Sequence, residues 1–421
     1  MRVEIEINNS PLAVARYVTW AWTPCRIRVT DPAGITGNQA TIRLDQTALG
    51  GGGSIRFANA AAGTGAATHS LSVPRDGTSA AFFIRGITAS TADPGVQITG
   101  RQTGAAAPVG TVSLMVRIRK DATTLSNGER DRLIATLAQF NNQGLGRFAD
   151  FAGTHVSAGS VEAHGRPGFL PWHRAFVLDL ERELQAIDPS VAMPYWRFDR
   201  PAPSLFTPQF LGRGTLNGPG TTTVTLSATN PLRFWKAGPA PGITRDPNFN
   251  VAGAAPGPLS QATALTLGNP GALFRNFRRI ESPIFPAQRD YHGSAHVSFS
   301  GPIDSIPTAA QDPLFFFLHC NVDRLWAVWQ KQQGRFDVTV AAAFESVTPP
   351  NRVGHNLGDT MWPWNGVTIP PRPNFALGGT LALSPCVSAP GPKPKVSDCF
   401  DYQGVVQLSN NMGFSYDDVP L

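Results

Sequence analysis

Charge is scarce in this chain: Asp, Glu, Lys and Arg make up only 15% of its 421 residues. Glycine (42) and proline (37) are plentiful by contrast, so much of the chain reads as loop. The net charge is +6, yet no basic run concentrates it. That argues against a nucleic-acid partner and leaves solubility as the plain explanation of the surplus. No apolar stretch is long enough to span a bilayer; the run at 314–318 is far too short. There is no internal repeat. Cysteine is rare, at four residues. Cys25 and Cys320 read as free thiols, while Cys386 and Cys399 flank a Pro/Gly/Lys loop and either pair or stay apart. This usage does not assign a redox compartment.

The N-terminus lacks the pattern of a leader. Residues 1–7 alternate polar and apolar, which is a strand pattern. The location stays open on this reading: cytoplasmic, or exported through a removed leader or another route that the chain does not display. Further short β-like runs follow at 26–29, 40–44, 54–57, 70–73, 81–84 and 96–98, separated by Gly, Pro, Asp and Asn turns. Regular short strands with turn signals predict a β-sandwich over 1–110. Residues 100–110 read as a connection and 112–118 as a strand leading onward. Ser126 and Glu129 form a capping box that starts a helix running to about residue 142. The second domain, 111–421, is expected to be mainly helical, a four-helix bundle wrapped by a Pro/Gly-rich C-terminal stretch from 335 onward.

Histidine is also rare, and six of the eight fall into two triplets: His155, His164, His173 and His292, His296, His319. Neutral imidazole is the commonest metal ligand. Two sets of three nitrogens suggest two metal ions. All-imidazole ligation suits copper, zinc, iron and nickel, and copper(II) binds tightest. The first three are nine residues apart, about 900° of helix rotation, so one continuous helix cannot bring them together. The surroundings agree. His155 ends a short helix through Phe148 and Phe151. His164 sits in the breaker-rich run 163–168. His173 opens an amphipathic helix carrying Phe176, Val177, Leu180 and Leu184. In the second set, His292 and His296 are i and i+4 on one helical face. His319 arrives on an apolar helix started by Asp312 as N-cap and Pro313 in the first turn. His69 and His355 lack such company and read as structural or exposed.

These residues carry a family resemblance. His164-Gly-Arg-Pro-Gly-Phe-Leu-Pro-Trp-His173-Arg-Ala-Phe resembles the first copper-site motif of tyrosinases, catechol oxidases and molluscan haemocyanins. His292-Gly-Ser-Ala-His296, with 312–326, resembles the second. Met193-Pro-Tyr-Trp196 and Phe414-Ser-Tyr416 resemble two further family segments, the latter closing the catalytic domain. The resemblance covers roughly 115–421. It implies a coupled (type 3) dicopper centre, with one copper on each triplet, O2 as co-substrate and a small phenol as substrate. Asp323, one turn past His319, is then expected to hold a ring tautomer, with an ion pair inside the bundle as the alternative.

Departures from the family pattern shape the expected activity. Many tyrosinases carry Asn after the first histidine of the second site, where this chain has Gly293. That Asn and an upstream Glu are thought to orient a water that deprotonates a monophenol. Glu281, eleven residues before His292, is the candidate glutamate, with a surface ion pair as the alternative. Gly293 therefore tilts the expectation towards o-diphenol oxidation with weak monophenol hydroxylation. Val297 should line the entrance and offer no charge to a substrate. Glu162 occupies the place of the cysteine that some members crosslink to the second histidine, so no thioether is expected. Cys320, about 100° around the helix from His319, should not reach copper. Full tyrosinase, o-aminophenol oxidase, haemocyanin-like O2 carrier and, more distantly, zinc hydrolase are the rival readings. The chain ends shortly after Tyr416, so an open site is the expectation unless residues 1–110 cover it; that region also reads as an oligomer contact or a binding module.

Overall fold

Alternation decides the first part of the fold. The computed structural model describes every residue except 142–143, 145, 159–161, 215–222, 248–260, 266–272, 282–290, 346–353 and 367–379. It divides into two compact units, Met1–Arg119 with Ser384–Ala389 and Tyr402–Leu421, and Lys120–Leu383 with Pro390–Asp401. The first unit carries β1 (Arg2–Ile7), β2 (Tyr17–Val18), β3 (Thr23–Asp31), β4 (Gln39–Ala48), β5 (Ser54–Ala58), β6 (Thr68–Pro74), β7 (Ala80–Thr88), β8 (Val96–Gln102) and β9 (Pro108–Val116). In β3, Cys25, Ile27 and Val29 are buried while Arg26 and Arg28 face solvent, the period-2 pattern of a half-buried strand.

One sheet has the order β1-β3-β7-β5 and the other β2-β9-β8-β4-β6. Their inward faces share one core, including Ile5, Ile27, Phe57 and Ile84 from the first sheet and Ile42, Leu44, Ile98 and Leu114 from the second. Each such side chain contributes about 1.5–3 kcal/mol by leaving water. The expected β-rich N-terminal region is thus present, and it runs further than 1–110. The expected connection at 100–110 shortens to 103–107: β8 continues to Gln102 and β9 begins at Pro108, with Gly100 paired opposite Gly110. A Cβ at Gly110 would lie 2.4 Å from the Val3 carbonyl oxygen, so glycine here permits close backbone approach.

The Phe414-Ser-Tyr416 segment, expected to close the helical domain, groups with this first unit. The Arg119 guanidinium lies 3.8 Å over the Phe414 ring and donates to the Tyr416 hydroxyl at 2.8 Å, and Trp20 Nε1 donates to the Tyr416 carbonyl at 2.7 Å.

The second unit is mainly helical. α1 (Asn127–Phe140) starts at the expected capping box, in which Ser126 Oγ accepts from Glu129 N and Glu129 Oε2 accepts from Ser126 N. It is followed by α2 (Phe148–Ala158), α3 (Phe169–Ile187), the short α4 (Gln261–Leu265) and α5 (Phe274–Phe277), α6 (Tyr291–His296) and α7 (Leu314–Gln333). α7 begins one residue later than the sequence suggested. Asp312 still caps it, because Asp312 Oδ1 accepts from Leu314 N at 2.9 Å. Gly334, left-handed at φ 62°, ends it. α7 is buried almost all round, as its composition requires, and packs on α3. Among the described residues no helix is long and apolar enough to cross a membrane. Cys386 and Cys399 are both free thiols, which settles their pairing in the negative. Cys386 Sγ faces the Val14 carbonyl at 3.3 Å, and Cys399 Sγ the Lys395 carbonyl at 3.8 Å.

Candidate metal centre

The two histidine triplets converge as their spacing predicted. In each set the three rings offer nitrogens that lie within 4.8 Å of one another. His155 comes from within α2 rather than from its end, His164 from the loop before α3, and His173 from the first turns of α3. His292 and His296 share one face of α6, and His319 enters from α7. The two sets are neighbours: the His173 and His319 rings stack at 4.1 Å.

Backbone carbonyls set the ring tautomers. His155 Nδ1 meets the Ile306 carbonyl at 2.9 Å, His173 Nδ1 the Phe169 carbonyl at 2.9 Å, and His296 Nδ1 the Ile303 carbonyl at 2.8 Å. The His292 ring bonds to the Glu281 backbone. A carbonyl can only accept, so Nδ1 carries the proton wherever it faces one, and Nε2 keeps its lone pair. In the first set His155 Nε2 and His173 Nε2 are buried with no hydrogen-bond partner among the described residues. In the second the Nε2 atoms of His292, His296 and His319 form a triangle with sides of 3.0, 3.2 and 3.2 Å. Lone pairs converging at this distance repel unless a cation lies among them. An ion held by imidazoles at its usual bond length wants nitrogen–nitrogen separations of about 3.3 Å, close to those observed. The donor set is entirely neutral nitrogen, which suits copper.

Burial keeps these rings neutral. Desolvation, aided by neighbouring imidazoles, drives His155, His173, His292 and His319 well below the ordinary imidazole value. His296 is lowered from 6.5 to about 4 by burial. The consequence for the metal-free protein has a definite sign. The unfolded chain binds protons near pH 6.5 while the folded chain resists them down to about pH 4. Stability is therefore full above pH 6.5 and declines as pH falls towards 4. His296 alone should remove on the order of 2 kcal/mol between pH 7.5 and 5, and the other rings add to it. Urea midpoints of metal-free protein at the two pH values check this; equal midpoints would mean that the rings are not sealed from water.

A cavity of about 410 Å³ opens onto both triplets, lined by His155, His164, His292 and His296 together with Glu281, Gly293, Val297, Asp304 and Ile306. Gly293 and Val297 are among these lining residues, and Val297 is 64% exposed. Glu281 is buried rather than at the surface, and its Oε1 accepts from the Gly165 backbone N–H, beside His164. Asp323 is elsewhere. Its Oδ1 accepts from Arg174 Nε at 2.5 Å, it does not line the cavity, and His319 Nδ1 has no hydrogen-bond partner among the described residues. The expected tautomer-holding role on His319 is replaced by the ion pair, because a buried carboxylate gains more from a guanidinium than from a neutral ring N–H. His319 is fixed instead by packing between His173 and Phe315, whose ring is 4.2 Å away. Ile303, Ile306 and Asp304 were not legible beforehand. The first two act through carbonyls, which leave no trace in residue type, and Asp304 lies in a turn without a motif.

Two adjacent triads of imidazole, with five of the six rings buried, make a site suited to a binuclear, all-histidine metal centre. Residues 145–332 match the family described as the common central domain of tyrosinase. The chain is 31% identical over 274 residues to a tyrosinase of Streptomyces glaucescens, covering 59% of this chain and 92% of that one. It is 28% identical over 242 residues to a G-type hemocyanin, units Oda to Odg, of Enteroctopus dofleini, covering 52% of this chain and 7% of that protein. The structure of an octopus hemocyanin functional unit aligns with a TM-score of 0.44 at 21% identity, over 72% of this chain and 69% of the other. The chain belongs to the tyrosinase family of type 3 copper proteins, which use two copper ions and O2.

Proposed function

We propose that the protein oxidises o-diphenols to o-quinones, with monophenol hydroxylation weak or absent, on a bundle of the four helices α2, α3, α6 and α7. The observation that carries this reading is the pairing of Gly293 with Glu281 on the cavity wall. A water poised to deprotonate a monophenol needs two or more polar partners. Gly293 supplies no side chain, and one Glu281 oxygen is already committed to Gly165 N–H. A diphenol makes a smaller demand, since it needs only to surrender two protons and two electrons.

The residues divide that task. His155, His164 and His173 would hold one copper, and His292, His296 and His319 the other. Copper held there would relay electrons from the phenol to O2. Two diphenols give two quinones, and their four electrons and four protons reduce one O2 to two waters. Glu281, buried beside the rings, holds the Gly165 backbone N–H next to His164. Ile306 and Val297 give the aromatic ring an apolar rim.

Oxygen uptake with 4-methylcatechol and p-cresol in parallel tests the reading. Uptake with the catechol and little with the cresol is expected. Comparable uptake with both would make the protein a full tyrosinase and overturn the Gly293 argument. No uptake with either would favour an O2 carrier.

The mouth also selects by charge. Asp304 and Glu281 are its carboxylates, and among the described lining residues there is no Lys or Arg. Dopamine should therefore exceed 3,4-dihydroxyphenylacetate in kcat/KM by roughly 3- to 10-fold at low salt. Asp304 is exposed, so the gap should narrow at high salt and in Asp304→Asn. A preference indifferent to both changes would remove Asp304 from the account.

A further inference from the structure

His164 is the one ligand of the six that lies outside a helix. Helical hydrogen bonds fix the backbones of the other five, and something else must fix His164. We propose that His355 and Glu162 form a polar clamp that positions the His164 loop and so sets how firmly the first copper is held.

Both side chains are buried, at 1% and 3% exposure. His355 Nδ1 accepts from the Gly168 backbone N–H at 3.1 Å, at the end of the loop where α3 begins. Glu162 Oε2, two residues before His164, accepts from Trp362 N at 2.9 Å. The strap between these two anchors is itself organised. Asp359 Oδ2 accepts from His355 N at 3.2 Å, Asn356 N at 3.1 Å and Asn356 Nδ2 at 3.0 Å. The Trp362 carbonyl then accepts from Trp172 Nε1 at 2.6 Å, next to His173.

Two glycines record how closely the parts meet. Gly354 has φ +83°, and a Cβ there would lie 2.9 Å from the Glu162 carboxyl carbon. A Cβ on Gly168 would lie 2.3 Å from the Gly354 carbonyl oxygen and 2.7 Å from His355 Nδ1. The loop is therefore gripped at both ends, before His164 through Glu162 and after it through Gly168. Gly165, left-handed at φ +71°, makes the bend between. His355 acts through the loop and not on the substrate; it is a positioning residue.

The test uses copper-loaded full-length protein. His355→Asn keeps an acceptor oxygen near the place of Nδ1, whereas His355→Leu fills similar space with none. Copper release to a chelator is followed together with electron paramagnetic resonance, since a coupled copper(II) pair is silent and a lone copper(II) is visible. His355→Leu should lose one equivalent about 10- to 100-fold faster than the parent and pass through a lone-copper signal. His355→Asn should stay near the parent. Should His355→Leu fail to fold, His355→Gln takes its place, because its oxygen sits one carbon too far. Release at the parental rate from His355→Leu or its replacement His355→Gln, or equal loss from His355→Asn and that variant, would overturn the clamp.

Discussion

Replacing His319 with Asn is expected to remove one copper per chain and to lower catechol turnover by at least about 10³-fold. His319 Nε2 stands 3.2 Å from both His292 Nε2 and His296 Nε2, so it closes the second triad. Its ring is also the one that meets the first triad, stacked on His173. Asn is shorter and cannot bring a nitrogen to the same point. The remaining pair, His292 and His296, would hold copper more weakly, and the two-copper chemistry would lose one partner. Copper analysis and oxygen uptake on the same preparation check this. Retention of both coppers with near-normal turnover would dismiss His319 as a ligand. Loss of copper from the first triad as well would show that the stacked pair couples the two sites.

The two histidine triads were legible because metal binding constrains residue type and spacing together. The i, i+4 pair His292 and His296 predicts its own geometry, and the breakers around His164 predict a loop. The strands were legible for a similar reason, since Val3, Ile5 and Ile7 alternate with exposed or half-buried residues. Legibility failed where the backbone does the work. The carbonyls of Ile303, Ile306 and Phe169 orient three ligand rings, and any residue type could supply them. It failed also where glycine has two meanings. Gly100 and Gly110 read as linker residues, yet they pair across a β-hairpin, and a Cβ on Gly110 would meet the Val3 carbonyl oxygen of β1 at 2.4 Å. His355 looked isolated in sequence because its partner, Gly168, is 187 residues away. Asp323 was expected to hold a ring tautomer, with an ion pair inside the bundle as the alternative. The nearer claim on it came from Arg174, which adjoins His173, and adjacency to one triad gives no sequence signal of contact with the other helix.

That pair should govern the stability of the helical unit. Arg174 and Asp323 are both almost wholly buried. Arg174 Nη1 also donates to Gln330 Oε1 at 3.0 Å and to the Cys399 carbonyl at 2.6 Å, and its guanidinium lies 3.8 Å over the Trp326 ring. Arg174→Met leaves the Asp323 carboxylate without its cation in a dry site, and should destabilise the unit by about 3–5 kcal/mol. A urea titration read by tryptophan fluorescence measures it; a change under about 1 kcal/mol would mean that water or another group takes over the carboxylate. Arg174→Met with Asp323→Leu removes both charges, so most of the loss should return. The double variant separates two roles. Arg174 follows His173 on α3, and Asp323 lies one turn past His319 on α7, so the ion pair ties the ligand helices of the two triads in one register. Apolar packing restores free energy without restoring that directional tie. The double variant should therefore fold stably and bind copper, yet show a weakened coupling between the two ions. Parental stability with parental coupling would mean that the stacking of His173 on His319 sets the register unaided.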